Sequence, residues 1–253
     1  MPVWLRNVLA LFLILAFSAS FYYFFIRPYA YRWKPCGGQK EYGVCMPCCY
    51  DVHGIDVSHY QGRIDWEELF AQNQDTDFPI EFIFMKATEG ATLGDDTFQK
   101  NFALAHKYGF IRGAYHFFSP KTDALKQADF FIKTVTLRKG DLPPVLDVEL
   151  TGRKSKSELQ KSLKIWLDRV EAHYKVKPIL YTSHKFKTKY LNDPSFDVYP
   201  YWIAHYYVDS VKYAGKWYFW QHTDVGSVKG IKEEVDLNVF NGTLEELLGM
   251  TLR

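Results

Sequence analysis

Between Gly54 and Tyr174 short apolar runs alternate with stretches of helical length and pattern, and this rhythm restricts the chain to very few architectures. Strands are predicted at 54–58, 82–88, 111–117, 145–149 and 178–182, with helices over 66–73, 97–108, 123–137 and 156–174. Ser155 precedes the last helix with Glu158 three residues on, the arrangement of a capping box. Beyond Thr182 the rhythm changes. Tyr201 to His205, Tyr218 to His222 and Val235 to Val239 are aromatic-rich strand candidates with little helix between them. Five βα units followed by three strands would close an α/β fold of irregular TIM-like (β/α)5(β)3 type, preceded by an N-terminal transmembrane helix. Once that helix is set aside, a domain of roughly 200 residues remains, ample for one large core.

The fourth strand ends in Asp147-Val148-Glu149, directly after Leu142-Pro143-Pro144-Val145-Leu146. Side chains alternate along a strand, so residues two apart share a face and the two carboxyl groups stand side by side. In a water-poor cleft such neighbours resist ionising together; one pKa rises, and that group can stay protonated as a general acid. Paired carboxyls are what glycosidic bond cleavage requires. Asp56, Glu89 and Asp236 are also expected near the C-terminal ends of strands, the rim on which parallel βα barrels build active sites. Taken singly, each has an ordinary reading: Asp56 could cap a turn, Glu89 could pair with Lys86, and Asp236 could accept backbone hydrogen bonds. Their joint placement favours catalytic roles for Glu149, Asp147 and Asp56 and a binding role for Asp236, while Lys86 with Glu89 is equally well explained as an ion pair.

Among the aromatics, Tyr115, Tyr181, Trp202 and Trp220 fall on or near strand ends and are candidates for contact with a saccharide, packing in the barrel being the alternative. The histidines lack HExxH-like spacing, and neither a metal site nor a cofactor is expected. With a net charge of +2 and scattered basic residues, nucleic-acid binding has no support, and the chain is taken as a monomer.

Val8 to Ile26 carries no charge and is long enough to span a membrane. Ser18-Ala19-Ser20 offers small residues for signal cleavage, but the apolar stretch continues through Phe21 to Ile26, longer than a signal core, and an uncleaved anchor through residues 8–26 is expected. Arg6 lies before it and Arg27, Arg32 and Lys34 after it, a bias that by the positive-inside rule would leave the domain in the cytoplasm. The four cysteines, Cys36, Cys45, Cys48 and Cys49, follow the anchor. Zinc is compatible with the Cys45/Cys48 spacing, but adjacent Cys48 and Cys49 are awkward ligands for one ion, and two disulfides of open connectivity are expected. The chain thus divides into an anchor and flank at 1–34, a cysteine-rich collar at 35–53 and a barrel at 54–253.

The segment Gly54-Ile55-Asp56-Val57-Ser58-His59-Tyr60-Gln61-Gly62, followed by Ile64-Asp65-Trp66, resembles the opening of the catalytic domain in lysozymes of glycoside hydrolase family 25. Lys86-Ala87-Thr88-Glu89-Gly90, Gly113-Ala114-Tyr115-His116-Phe117, and Trp220-Gln221 leading to Val235-Asp236-Leu237-Asn238 fit the same family in order, so that the resemblance covers about Gly54 to Gly242. It implies a muramidase that hydrolyses the β-1,4 bond between N-acetylmuramic acid and N-acetylglucosamine in peptidoglycan glycan strands. Such an enzyme works in the cell envelope with its domain outside the cytoplasm, periplasmic or extracellular, either anchored or secreted after signal cleavage; this overrides the charge bias. Glu149 would be the general acid and then the base toward water, with Asp147 orienting a 2-acetamido group whose carbonyl oxygen attacks the anomeric carbon; direct attack by an aspartate is the other route. Asp56 and Asp236 would tune the field and hold the sugar. Two rival readings remain: a chitinase-like barrel, which expects further aspartates where this chain has Leu142 and Val145, and a non-catalytic glycan-binding protein on the same fold.

Overall fold

A computed structural model describes residues 1–26 and 36–253, which fall into two compact units, Met1–Gln39 and Lys40–Arg253. The basic flank Arg27, Arg32 and Lys34 and the expected boundary at 34/35 lie outside the described residues. In the first unit, α1 (Val3–Phe21) continues through a π-helical turn (Tyr22–Ile26) to make an apolar helix of 24 residues with mean hydropathy 2.2, none of it buried. Helical geometry allows the chain to satisfy its own backbone polar groups in lipid, and this length is sufficient to cross.

The second unit opens with a hairpin of β1 (Lys40–Glu41) and β2 (Val44–Cys45), turned at Tyr42 and Gly43, both with positive φ as a tight two-residue hairpin requires. The two expected disulfides are not both formed. Cys36 and Cys45 are disulfide-bonded, whereas Cys48 and Cys49 carry free, exposed thiols. Adjacent cysteines cannot bridge each other without distorting the peptide between them, and with Cys36 and Cys45 engaged they have no other cysteine to take.

Five strand–helix units follow: β3 (His53–Val57) with α2 (Trp66–Asn73), β4 (Ile80–Glu89) with α3 (Phe98–Lys107), β6 (Ile111–Phe117) with α4 (Ala124–Thr134), β7 (Val145–Asp147) with α5 (Lys156–Tyr174), and β8 (Ile179–Ser183) with α6 (His184–Tyr190). A short β5 (Leu93–Gly94) folds back on β4. Then come β9 (Tyr201–Ala204), β10 (Phe219–Gly226), β11 (Val235–Phe240) and the terminal α7 (Leu244–Met250). The expected capping box forms at α5, where Glu158 accepts from the Ser155 backbone N–H at 2.8 Å and Ser155 Oγ accepts from the Glu158 N–H. Asp65 and Asp123 cap α2 and α4 in the simpler way, each accepting from the N–H three residues on.

Hydrogen bonding runs β3-β11-β10-β9-β8-β7-β6-β4 and returns from β4 to β3, closing a barrel of eight strands. Seven run parallel; β11 is antiparallel to both of its neighbours, β10 and β3. Alternation then divides each strand between two cores. Ile83 and Met85 on β4, Leu146 and Val148 around β7 and Leu180 on β8 face the helices, where they join Phe131, Leu163, Trp166 and Val170. Phe82, Phe84, Val145, Ile179, Phe219 and Phe240 face inward and fill the lower half of the barrel.

Two glycines make room for that filling. Gly54 on β3 and Gly113 on β6 stand beside Phe82 and Phe84 in the β4 registers, and the rings lie over them. A Cβ at either position would sit 2.4 Å from a ring carbon. Gly54→Ala or Gly113→Ala should therefore destabilise the barrel by about 1–3 kcal/mol through forced repacking. Thermal unfolding is the check: each variant should melt several degrees lower, and an unchanged midpoint would mean the rings are free to move aside.

Candidate active site

The inward face of the upper half of the barrel is polar. Along β3 the inward positions are Gly54 and then Asp56; around β7 they are Val145, Asp147 and Glu149; down β11 they are Asp236, Asn238 and Phe240. Asp56, Asp147, Glu149 and Asp236 line one cavity of about 470 Å³, together with Lys86, Tyr115, Tyr181, Trp202 and Gln221. Asp236 was expected at the C-terminal end of a strand. It lies instead near the start of β11, and reaches the same rim because β11 is antiparallel, which sets it directly opposite Asp56 in the β3–β11 register.

Glu149 lies two residues past the end of β7, yet its position is fixed. The Val148 N–H donates to the Tyr181 carbonyl at 2.9 Å and Thr182 Oγ1 donates to the Val148 carbonyl at 2.7 Å, extending the strand geometry beyond Asp147. Glu149 is consequently exposed at the mouth while Asp147 is buried below it.

Asp56 is held from two sides. Gln221 Nε2 donates to Asp56 Oδ2 at 2.8 Å and Asn238 Nδ2 donates to the same oxygen at 2.7 Å. The two amides cannot turn over, since Gln221 Oε1 accepts from the Tyr181 and Tyr206 hydroxyls and Asn238 Oδ1 accepts from Trp202 Nε1 at 2.8 Å. Gln221, Asn238 and Tyr206 were not among the expected site residues. The signal for two of them was present, because a polar residue two positions from an inward-facing Asp236 or Phe219 shares its face. Of the expected contacts, Tyr115, Tyr181 and Trp202 line the cavity and Trp220 does not. Trp220 lies between inward Phe219 and Gln221, so alternation turns it outward, where its indole N–H donates to the His205 carbonyl and its ring meets Tyr50 and His222.

Crowding four carboxyls into a partly dry cavity raises their pKa values. Burial is the leading cause at every one. Glu149 is raised, with the Tyr181 hydroxyl and Lys86 pulling it back. Asp147 goes well above the ordinary carboxyl range, through burial and then the charges of Glu149 and Asp56. Repulsion within the expected pair thus falls on Asp147; Glu149, though exposed as a residue at the mouth, turns its carboxyl to the cavity, and it is the partial desolvation there that raises it. Asp56 and Asp236 share a hydrogen bond; Asp56, accepting two amide donors, rises to about 6, while Asp236 is pushed up to about 9 and holds the proton between them. Lys86 donates to Glu89 at 2.6 Å, which neutralises that acid at the rim. One buried acceptor, Asp147 Oδ1, has no partner among the described residues and is available to a donor on a ligand.

These shifts carry a stability consequence. A carboxyl that stays neutral in the folded chain and ionises near 4 in the unfolded chain favours unfolding progressively as pH rises from about 4 toward its folded value. For Asp236 that window reaches about 9. Asp236→Asn can still donate to Asp56 but has no proton to lose. It should melt higher than the parent at pH 7 by roughly 2–4 °C or more, the gain shrinking toward pH 4. A lower midpoint at pH 7 would contradict the assigned proton.

The family model described as Glycosyl hydrolases family 25 matches residues 55–231. The chain is 45% identical over 218 residues to the protein of Escherichia coli (strain K12) called Uncharacterized protein YegX, covering 86% of this chain and 78% of that one. It is 33% identical over 215 residues to Lysozyme M1 of Streptomyces globisporus, covering 79% and 71% of the two chains. The solved structure of a family 25 glycosyl hydrolase from Bacillus anthracis superposes with a TM-score of 0.72 at 36% identity, over 80% of this chain and 94% of that one.

Proposed function

The chain belongs to glycosyl hydrolase family 25, and on that premise we propose that it is a muramidase cutting the β-1,4 bond between N-acetylmuramic acid and N-acetylglucosamine in peptidoglycan, with Glu149 as acid and base. Likeness to Lysozyme M1 supports the substrate. The observation that carries the roles is the shared cavity, in which four carboxyls from three strands face the space of one sugar while Glu149 alone of the four is exposed at its mouth.

Glu149, raised by burial, gives its proton to the glycosidic oxygen as the bond from that oxygen to the anomeric carbon breaks. The carbonyl oxygen of the sugar's own 2-acetamido group attacks the anomeric carbon, and its N–H is directed at the unpartnered Asp147 Oδ1. As positive charge develops on the cyclised group, the Asp147 oxygen that accepts its N–H stabilises that charge. Water then attacks the anomeric carbon as its bond to the acetamido oxygen breaks and restores the 2-acetamido group, with one proton of the water passing back to Glu149. Asp56, fixed by Gln221 and Asn238, and Asp236 hold the sugar's hydroxyls. The apolar helix Val3–Ile26 anchors the enzyme to a membrane, a reading supported by its length and hydropathy, and a peptidoglycan substrate sets the barrel on the wall side.

Glu149→Gln keeps shape and hydrogen bonding but cannot transfer a proton, so the catalytic rate should fall on the order of 100-fold or more with little change in binding. In the parent, activity should decline as pH rises through the raised pKa of Glu149. Turbidity assays on purified peptidoglycan measure both, and near-normal turnover by the variant would remove Glu149 from the acid role. Anchoring predicts that membranes retain the full-length protein through high-salt washing; a shorter mature chain in the soluble fraction would establish cleavage instead.

A further inference from the structure

The cavity that holds the acids continues past Glu149. A second cavity of about 570 Å³ shares Glu149, Glu89, Phe117 and Leu150 with the first and extends toward α6, where Phe186 and Tyr190 line it. Its remaining walls are two loops: Ser119 to Lys121 after β6, and Thr151 with Gly152 after β7.

Those loops are held rigidly. Buried Gln127 on α4 accepts from the Ser119 N–H at 2.9 Å and donates to the Ser119 and Thr122 carbonyls at 2.8 and 3.1 Å. The two loops also pack on each other: Gly152, at φ +61°, lies so close to Pro120 that a Cβ would stand 2.9 Å from its ring. A wall clamped in this way is formed before any ligand arrives, which spares the ordering cost of binding.

The groups placed around the reacting sugar, Asp147, Asp56, Asp236, Tyr115 and Tyr181, line the first cavity and are absent from the second. The bridging oxygen must meet Glu149, so the sugar on the far side of that oxygen enters the second cavity. Its lining is suited to a sugar followed by an anion. Phe186, Tyr190 and Leu150 offer apolar surface, Ser119 and Thr151 offer hydroxyls, and Lys121 is the cation in the lining. Of the two acids in the lining, Glu89 is paired with Lys86 and Glu149 stands at the junction with the first cavity.

We infer that the second cavity is the leaving-group site of the enzyme, seating the released sugar between Leu150 and Tyr190, with Lys121 meeting a carboxylate of the peptide-bearing chain beyond it. This rests on the muramidase reading. It makes Lys121 a specificity residue for glycan chains whose stems carry free carboxylates.

The test uses the full-length protein in detergent with two soluble substrates, uncrosslinked peptidoglycan chains with free stem carboxylates and the same chains with those carboxylates amidated. Lys121 is exposed, so its replacement leaves the fold intact. Lys121→Glu should raise KM on the free-carboxylate chains on the order of tenfold, with kcat changing less than about twofold, and should shift KM on the amidated chains much less. Thr151→Trp, which fills the cavity, should raise KM on both, in protein whose melting temperature matches the parent. If the parent cleaves both substrates and neither variant moves KM, the leaving-group site is refuted while the muramidase reading stands. If the parent cleaves neither, the muramidase reading falls and this inference falls with it.

Discussion

Everything at the site depends on how the barrel closes through β3. That strand pairs in parallel with β4 on one side and antiparallel with β11 on the other, and the second pairing sets Asp56 opposite Asp236. Without the reversal of β11, Asp236 would lie at the lower rim among the phenyl rings. With it, the upper interior becomes a ring of polar side chains on an aromatic floor, and the floor is tight enough that Gly54 and Gly113 can carry no side chain. The acids are thereby fixed from below as well as from the sides.

Stability and function pull against each other in this arrangement. Each of the four carboxyls is costlier to ionise here than in water, and Asp147 and Asp236 carry the largest shifts. Nothing in a stable barrel calls for that crowding, and Phe or Leu at those positions would extend the aromatic floor. The strain is useful to a catalyst that must hold one carboxyl protonated and keep another ready to meet a developing positive charge. The amide hub of Gln221 and Asn238 keeps it from relaxing, since both amides are locked by Tyr181, Tyr206 and Trp202.

The strand–helix rhythm and the acid pair were legible because both rest on local periodicity, which alternation converts directly into facing. The convergence of Asp56, Asp147 and Glu149 could be read for the same reason. What escaped depended on partners distant in sequence. The direction of β11 could not be read from Val235 to Phe240, nor the outward turn of Trp220 from its neighbours until Phe219 was known to pack on Phe82 and Phe84. Gln221 and Asn238 stood in segments that carried the family resemblance, but the role of each depended on Asp56, 165 and 182 residues earlier, to which both donate. The cysteines belong to the same class: spacing left the pairing open, and Cys48 and Cys49 proved to be thiols.

The central claim is that these carboxyls cut one particular bond. The direct measurement is to digest purified peptidoglycan with the full-length protein, reduce the new chain ends with borohydride, and identify the terminal sugar alcohol by mass spectrometry. Cleavage between N-acetylmuramic acid and N-acetylglucosamine predicts reduced muramic acid at the new ends, appearing with the parent and lost with Glu149→Gln. Reduced glucosamine at those ends, or no new ends at all, would contradict the account.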